Sequence, residues 1–240
     1  MAIYDAVLTA KRELAAGTMA FHFSKPEGFA FKPGQAIDLI LLDTGGQGNE
    51  DGRHTFSLVS VPSEDELCVA TRLRDSDYKR RLRSLEQGAK VRVEGPFGSL
   101  ILHNNAARAA VFIAGGIGIT PFMSMLRHAE EAGLAHRLVL LYSNRRPEDA
   151  AFLDDLLDLE RRNTHFRLIA TMTQMNRSEQ AWTGTQGVID AAFIRNAIEG
   201  LAQPVVYLAG PPAMVEAMRD AAIAAGIDED DVRSEDFFGY

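Results

Sequence analysis

Cysteine is almost absent from this sequence, since Cys68 is the only one among 240 residues. A single thiol excludes an intramolecular disulfide, and it excludes an iron–sulfur cluster or zinc site held by four cysteines of this chain. The lack of disulfides favours a reducing compartment, and the first residues have neither the basic nor the apolar region of a signal peptide. We therefore expect a cytoplasmic protein.

Positive charge is also scarce, because the formal net charge is −8. A chain this acidic is a poor match for nucleic acid or for an anionic membrane, so we expect neither as a partner. The excess of acidic residues falls mainly within residues 107–240, where all 12 cations are arginine. Two halves of different charge character suggest two domains.

Long hydrophobic runs are missing, apart from an uncharged stretch over residues 109–126. We expect no membrane insertion there, because Gly115, Gly116, Gly118 and Pro121 interrupt the stretch and it is short for a bilayer. The six histidines form no metal-ligand motif, so no metal site is expected.

Two patterns of secondary structure divide the chain near residues 103–106. Short β-rich runs separated by turn residues fill the first part, which predicts a small antiparallel barrel or sandwich over residues 1–104 with one helix, 77–85. Strands alternating with helices predict a doubly wound parallel sheet over residues 105–240. Its predicted strands are 110–114, 137–142, 166–170 and 205–208, and its helices are 121–132, 147–161, 189–198 and 211–225.

Two glycine turns carry the strongest chemical signal. Ala114-Gly115-Gly116-Ile117-Gly118-Ile119-Thr120-Pro121 follows a buried strand and precedes an amphipathic helix. Glycines allow close backbone approach, Thr120 is expected to cap the helix, and its free amides suit a pyrophosphate. A second strand ends at Gly210-Pro211, just before Met214. Since ligands of open α/β sheets bind beyond the carboxyl ends of strands, both turns are expected to line one crevice, although a purely structural role is the alternative.

Taken together, these motifs and four others in the same order resemble the ferredoxin–NADP reductase-like flavoproteins. The others are Pro33-Gly34-Gln35, His54-Thr55-Phe56-Ser57, Gly95-Pro96-Phe97-Gly98 and the aromatic C-terminus around Phe237 and Tyr240. The resemblance implies an antiparallel Greek-key barrel that binds a flavin over residues 1–104, followed by an NAD(P)-binding α/β domain over 105–240. FAD is favoured over FMN, because residues 44–52 could shelter an adenine.

The resemblance also implies roles for residues of the barrel. Phe56 would lie against the flavin ring and the Ser57 hydroxyl would approach its reactive nitrogen. The family's motif has an arginine where this chain has His54, so Arg53, Arg72 or Arg74 is expected to supply charge to the pyrophosphate. The implied FAD-binding residues are Arg53, His54, Thr55, Phe56, Ser57, Thr71, Arg72, Arg74, Ser76, Lys79 and Tyr240.

Further residues would bind the nicotinamide nucleotide or act at the reacting centre. Ser143 with Arg145 or Arg146 could hold a 2′-phosphate, which favours NADPH over NADH, although solvated loop arginines are the alternative. The implied NAD(P)-binding residues are Gly115, Gly116, Gly118, Thr120, Pro121, Ser143, Arg145, Arg146, Gly210, Pro211 and Met214. Ser57, Glu235 and Phe237 are the expected catalytic residues, with Tyr240 competing with Phe237 to cover the flavin. Many relatives have cysteine at the position of Ala209, so slower chemistry is expected here.

The implied function is a flavin-dependent NAD(P)H oxidoreductase. Electrons would pass to a separate acceptor such as ferredoxin or an oxygenase component, and the basic run Lys79-Arg80-Arg81 with Arg83 could dock an acidic partner. A solvated cationic face is the alternative for that run. The alternatives for the whole protein are reduction of free flavin or ferric chelates and a non-catalytic flavoprotein subunit.

Overall fold

The computed structural model of the chain describes residues 2–42 and 52–238. All but the last residue of the expected adenine shelter at residues 44–52, and the predicted site residue Tyr240, lie outside these ranges.

Six antiparallel strands form the first sheet: β1 (Ile3–Ala15), β2 (Thr18–Ser24), β3 (Ala36–Leu41), β4 (Arg53–Ser57), β5 (Glu66–Arg72) and β6 (Lys90–Phe97). Their order is β4-β3-β6-β1-β2-β5, so β6 returns to lie between β1 and β3 as in a Greek key. A bridge between Leu58 and Val69 joins the two ends of the sheet into a barrel. Inward side chains alternate along each strand, as Ile37, Leu39 and Leu41 do on β3.

One helix belongs to the barrel, namely α1 (Asp77–Ser84). The Ser76 side chain accepts a hydrogen bond from the Lys79 backbone N–H and caps the helix, as serine does at many helix starts. Tyr78 and Leu82 face the barrel core, and the Tyr78 hydroxyl donates to the Leu39 carbonyl at 2.9 Å. The helix thereby closes one end of the barrel.

Six parallel strands form the second sheet: β7 (Ala110–Gly115), β8 (Leu138–Asn144), β9 (Phe166–Met172), β10 (Thr185–Gln186), β11 (Val205–Gly210) and β12 (Val232–Asp236). Their order is β10-β9-β8-β7-β11-β12. Helices α2 (Thr120–Glu131) and α3 (Leu153–Arg162) share one hydrophobic cluster with the sheet, and α4 (Ala191–Ala197) and α5 (Pro212–Ala224) share another. The central strands are buried on both faces, which explains their continuous apolar runs.

Three details of the second sheet differ from the predictions. The single helix over 147–161 is wrong, because Pro147–Asp149 is a 3₁₀ turn and Phe152 has φ 60° before α3 begins. Thr120 does not cap α2, because a 3₁₀ turn (Gly116–Ile119) precedes it and the Thr120 hydroxyl donates back to the Ile117 carbonyl at 3.1 Å. Strand β12 was not predicted, since its alternating polar residues are typical of an exposed segment.

Candidate active site between barrel and C-terminal strand

A cleft of about 510 Å³ lies between the barrel and the carboxyl end of the parallel sheet. Its walls come from β3, β4, β5, α1, the first glycine turn, β12 and the segment after β12. Eleven predicted site residues line it: Arg53, His54, Thr55, Phe56, Ser57, Thr71, Arg72, Lys79, Thr120, Glu235 and Phe237. Five lining residues were not predicted, namely Asp38, Ala70, Ile117, Asp236 and Phe238.

Aromatic rings form one side of the cleft. Because side chains alternate along a strand, His54 and Phe56 of β4 share a face, and their rings stack with centroids 5.1 Å apart and planes 24° apart. Tyr78 of α1 completes the cluster, 5.1 Å from the His54 ring and 6.0 Å from the Phe56 ring. Ser57, at the end of the strand, is buried. The imidazole therefore packs as an aromatic side chain.

The opposite face of β4 is a charged network. The Arg53 guanidinium donates to Asp38 at 2.9 Å and lies 2.5 Å from a Glu94 oxygen. The Thr55 hydroxyl donates to the other Asp38 oxygen at 2.5 Å. Hydrogen bonds that Arg53 donates to Glu94 and then to Asp38 raise the pKa of Arg53. Two carboxylates thus neutralise Arg53, which weakens the expectation that it supplies charge to a pyrophosphate.

A buried ammonium group lies on the α1 side of the cleft. Lys79 is only 8% exposed, and no carboxylate of residues 2–42 and 52–238 lies within ion-pair distance of its Nζ. Burial, together with the charge of Arg74, lowers the pKa of Lys79. Arg80, the next residue, is instead exposed and paired with Asp75 and Asp77. The basic run is therefore not one uniform solvated face.

Glu235 brings a carboxyl group to the cleft from the parallel sheet. It lies on β12, opposite Ala209 of β11. Its Oε2 atom is buried and has no hydrogen-bond partner among the described residues. Burial raises the pKa of this carboxyl to about 7. Just beyond it, the Phe237 backbone N–H donates to the Gly210 carbonyl at 2.9 Å, which fixes the start of the aromatic tail.

The two glycine turns interlock with each other. A Cβ added to Gly118 would overlap the Ala209 carbonyl oxygen, and one added to Gly115 would overlap the Met214 sulfur. Gly116 differs, because its φ is +52° and a Cβ there would meet nothing within 4 Å. Two of the three glycines thus serve backbone packing, and the third borders open space. Pro211 begins the turn into α5, directly after Gly210.

The loop after β8 separates the two candidate 2′-phosphate arginines. Arg146 is held by Asp149 in a bidentate pair with distances of 2.9 and 3.0 Å. Asp149 is buried and also lies 3.7 Å from Arg72 of the cleft, and its pKa is lowered, first by the Arg146 hydrogen bond. Arg145 is exposed, and its side chain forms no ion pair with any described residue, so it is the more available cation.

The predicted site residues thus fall into groups. Those of β4, β5, α1 and β12 share the cleft, whereas the predicted residues of the two glycine turns, apart from Thr120, and those of the β8 loop do not line it. The predicted residues outside the cleft lining are Arg74, Ser76, Gly115, Gly116, Gly118, Pro121, Ser143, Arg145, Arg146, Gly210, Pro211 and Met214. Asp38 and Asp149 are charged neighbours that the sequence patterns did not reveal: Asp38 pairs with Arg53 across two strands, and Asp149 pairs with the nearby Arg146 and lies 3.7 Å from the distant Arg72.

No group of three or more histidine, cysteine, aspartate or glutamate side chains among residues 2–42 and 52–238 could hold a metal ion. In the same ranges, no helix has the length and apolar character needed to cross a membrane.

A Greek-key barrel joined to a doubly wound parallel sheet, with a cleft between them, defines a two-domain nucleotide-dependent reductase fold. Comparison with known proteins agrees with this class. A family model described as the oxidoreductase NAD-binding domain matches residues 112–220. The chain is 30% identical over 229 residues to ferredoxin–NADP reductase B of Sorangium cellulosum, covering 91% of each protein. The chain therefore belongs to the ferredoxin–NADP reductase-like family of flavoprotein reductases, and the predicted family is confirmed.

Other relatives are longer than this chain. It is 30% identical over 220 residues to the propane 2-monooxygenase reductase component of Rhodococcus jostii, with 89% of this chain matched. The chain spans only 57% of that protein's length. Among solved structures, a ferredoxin NADP⁺ reductase from Neisseria gonorrhoeae with bound FAD and NADP superposes with a TM-score of 0.82 at 22% identity, covering 98% of this chain and 99% of that one. This likeness confirms the predicted fold.

Proposed function

We propose that the chain is an NAD(P)H-dependent flavin oxidoreductase that passes electrons to a separate protein acceptor. The observation that carries the proposal is the cleft itself. It joins an aromatic wall and a buried serine from the barrel to a carboxyl group and an aromatic side chain from the nucleotide-binding sheet. The curated relatives are named as reductases of ferredoxin or as reductase components of monooxygenases, which supports an acceptor of either kind.

The donor set of the cleft fits FAD. Phe56, stacked on His54, offers a flat apolar surface for a ring system, and Ser57 offers a hydroxyl at its edge. Cationic and helix-terminal groups suited to phosphates come from β5, its following loop and α1. Thr71, Arg72 and Lys79 line the cleft, and Arg74 and Ser76 lie between Arg72 and Lys79 in the chain without lining it. FAD is proposed as the cofactor in preference to FMN, because a longer ligand would contact both the aromatic end and the cationic end of the cleft.

The nicotinamide nucleotide is proposed to bind along the carboxyl ends of β7, β8 and β11. Gly116 and Pro121 would border the phosphates of the nucleotide. Pro211 and Met214 would flank the nucleotide on the side of β11. Ser143 and Arg145 would contact its adenosine ribose. The open space beside Gly116 supports this placement. Arg145 has no ion-pair partner among the described residues and can therefore bind a 2′-phosphate, so NADPH is the proposed electron donor. Arg146 would bind this phosphate only if the phosphate displaced Asp149 from it.

When bound, FAD would supply the chemistry that accepts two electrons from the nicotinamide nucleotide and releases them to an acceptor. The chain's own residues would position the bound groups in the cleft. Phe56 and Phe237 line the cleft with apolar rings, while Ser57 presents a hydrogen-bonding hydroxyl there. Glu235 can hold or release a proton near neutral pH, because burial raises its pKa to about 7. Positioning rather than strong acid–base catalysis is therefore the main contribution of the protein.

Anaerobic visible spectroscopy of the FAD-reconstituted protein tests this function. We expect the yellow absorbance to bleach on addition of NADPH, and more slowly with NADH. In the variant Arg145→Gln, the KM for NADPH should rise about tenfold while the KM for NADH stays unchanged, since one phosphate contact is lost. Arg167→Gln, which removes an exposed arginine of β9, is the matched control.

Protein that stays colourless after incubation with FAD would contradict the proposal and favour a non-catalytic subunit. Bleaching with turnover only on free flavin or ferric chelates would contradict the protein acceptor. A cytoplasmic location stays a prediction, as do the domain limits at residues 104 and 105.

A further inference from the structure

The loop after β8 packs against the barrel, and it carries a buried carboxylate. The Glu148 carbonyl accepts a hydrogen bond at 2.8 Å from the N–H of Ala16, in the turn between β1 and β2. The N–H of Leu73, the residue after Arg72, donates to a carbonyl of the same turn at 2.7 Å. Both the loop and Arg72 are thus tied to one corner of the barrel. The next residue of the loop, Asp149, has a side chain that is only 5% exposed.

This one carboxylate serves two arginines from different halves of the fold. Asp149 holds the guanidinium of Arg146 through hydrogen bonds of 2.9 and 3.0 Å, and its Oδ1 atom lies 3.7 Å from Nη2 of Arg72. No other carboxylate of residues 2–42 and 52–238 lies within ion-pair distance of either guanidinium. Two cations therefore share a single anion, and the group retains a net positive charge.

The two arginines differ in how fully the carboxylate occupies them. Nε and Nη2 of Arg146 form an edge of the guanidinium that suits bidentate binding of a phosphate, and Asp149 occupies that edge. Arg72 is held less closely, lines the cleft and has 34% of its side chain exposed. A phosphate can therefore reach Arg72 directly, whereas it reaches this edge of Arg146 only by displacing Asp149.

The cost of displacing Asp149 depends on whether Arg72 is occupied. With no anion on Arg72, the carboxylate can turn to that guanidinium, which already lies 3.7 Å away. With an anion on Arg72, the displaced carboxylate would stay buried without a partner and would face a second negative charge. An unpaired buried charge is strongly destabilising. Anions at the two arginines should therefore bind with negative cooperativity.

We propose that Asp149 is a specificity-determining residue that couples the two dinucleotide sites: an anion on Arg72 holds the carboxylate on Arg146 and weakens the binding of a 2′-phosphate there. The coupling rests on the proposed function, because FAD is the anion that would occupy Arg72 and NADPH carries the 2′-phosphate. Bound flavin would then reduce the preference for NADPH over NADH, and Arg145 would provide the preference that remains.

Calorimetric titration of the FAD-loaded protein with two nucleotides that differ only in the 2′-phosphate tests the coupling. These are adenosine 2′,5′-bisphosphate and adenosine 5′-monophosphate, and the ratio of their Kd values reports the contribution of the 2′-phosphate. Asp149→Asn should shift this ratio toward the bisphosphate by about fivefold or more, a factor typical of coupled sites. Asp154→Asn, at an exposed aspartate of α3 with no ion pair among the described residues, is the matched control and should leave the ratio unchanged.

The apoprotein tests the part that Arg72 plays. Removal of FAD from the wild-type protein should also shift the ratio toward the bisphosphate, because the displaced carboxylate can then turn to Arg72. In Arg72→Gln this difference between the apoprotein and the FAD-loaded protein should disappear, since neither form offers the second cation. Far-UV circular dichroism of each variant checks that the fold is retained.

Three results would overturn the coupling. One is a ratio in Asp149→Asn equal to that of wild type. Another is a ratio that shifts toward the monophosphate in Asp149→Asn, because the carboxylate would then position the phosphate site instead of blocking it. The third is an equal ratio in the apoprotein and the FAD-loaded wild-type protein.

Failure of the proposed function would give a different result. Protein that does not bind FAD would contradict the flavin function, and inorganic pyrophosphate would then replace FAD as the anion offered to Arg72. Pyrophosphate that shifts the ratio toward the monophosphate in wild type but not in Asp149→Asn would support the coupling without the flavin. Pyrophosphate with the same effect on both proteins, or with none, would overturn the coupling as well.

Discussion

Glu235 lines the candidate active site, and its raised pKa also makes the stability of the fold depend on pH. Its carboxyl group is drawn into the cleft because β12 pairs in parallel with β11, which sets Glu235 beside Ala209. An ionised carboxylate loses hydration there without gaining a partner for Oε2, so the neutral acid is favoured and the pKa rises to about 7. A buried acid retained without a partner is more typical of functional sites than of structural ones.

The substitution Glu235→Gln should therefore stabilise the protein in a pH-dependent manner. The folded pKa of about 7 lies above the ordinary value of 4.5, so the folded state binds more protons between these values and loses stability as the pH rises through that range. Above pH 7 the amide should be more stable than wild type by about 2 kcal/mol, and below pH 4.5 the difference should vanish. Urea unfolding across this pH range measures the effect, and a pH-independent difference would contradict it.

At the scale of elements, sequence patterns identified most strands and the helices α1, α2, α4 and α5, because these depend on local hydrophobic period. They failed where a distant residue determines the backbone. The predicted helix over 147–161 ignores Asp149, which turns inward to Arg146 and Arg72, and Ala151, whose carbonyl accepts from the Tyr142 hydroxyl at 3.0 Å. The charge compensation of Arg53 by Asp38 also depends on a residue of another strand, whereas the His54 motif and the segment around Phe237, both expected near the flavin, line one cleft.

Tyr142 should accordingly be important for the turn between β8 and α3. Its hydroxyl also donates toward the Gly116 carbonyl at 3.1 Å, so one fully buried group joins the first glycine turn to the broken helix. Tyr142→Phe removes the single hydroxyl hydrogen that these two carbonyls share and should cost about 1–3 kcal/mol in the free energy of unfolding. Chemical denaturation gives the value. Tyr4→Phe, at a half-buried tyrosine of β1, is the control and should change stability by less than about 0.5 kcal/mol.

At the scale of the whole molecule, helix α2 is the element that joins the barrel to the parallel sheet. The Ser124 hydroxyl donates to the Ser60 carbonyl at 2.6 Å, and Arg127 pairs with Glu64. Barrel residues such as Val59 and Ala70 belong to the same hydrophobic cluster as Phe112 of β7 and Phe122 of α2. A shared core of this kind couples the folding of the two sheets more strongly than a polar domain interface does.

Met125 provides the sharpest test of that coupling. It is buried on α2, and a Cβ on Gly34 of the barrel would overlap its terminal methyl group, so helix and barrel are in direct contact. Met125→Ala should cost about 2–5 kcal/mol because it opens a cavity between the sheets. Hydrogen exchange should then increase by the same factor in β2 and in β8, as expected if both sheets unfold in one transition. Leu67→Ala, in the barrel core, should give the same equal response. Faster exchange in one sheet alone would mean that the sheets unfold separately, and the cleft between them would then depend on bound ligand to persist.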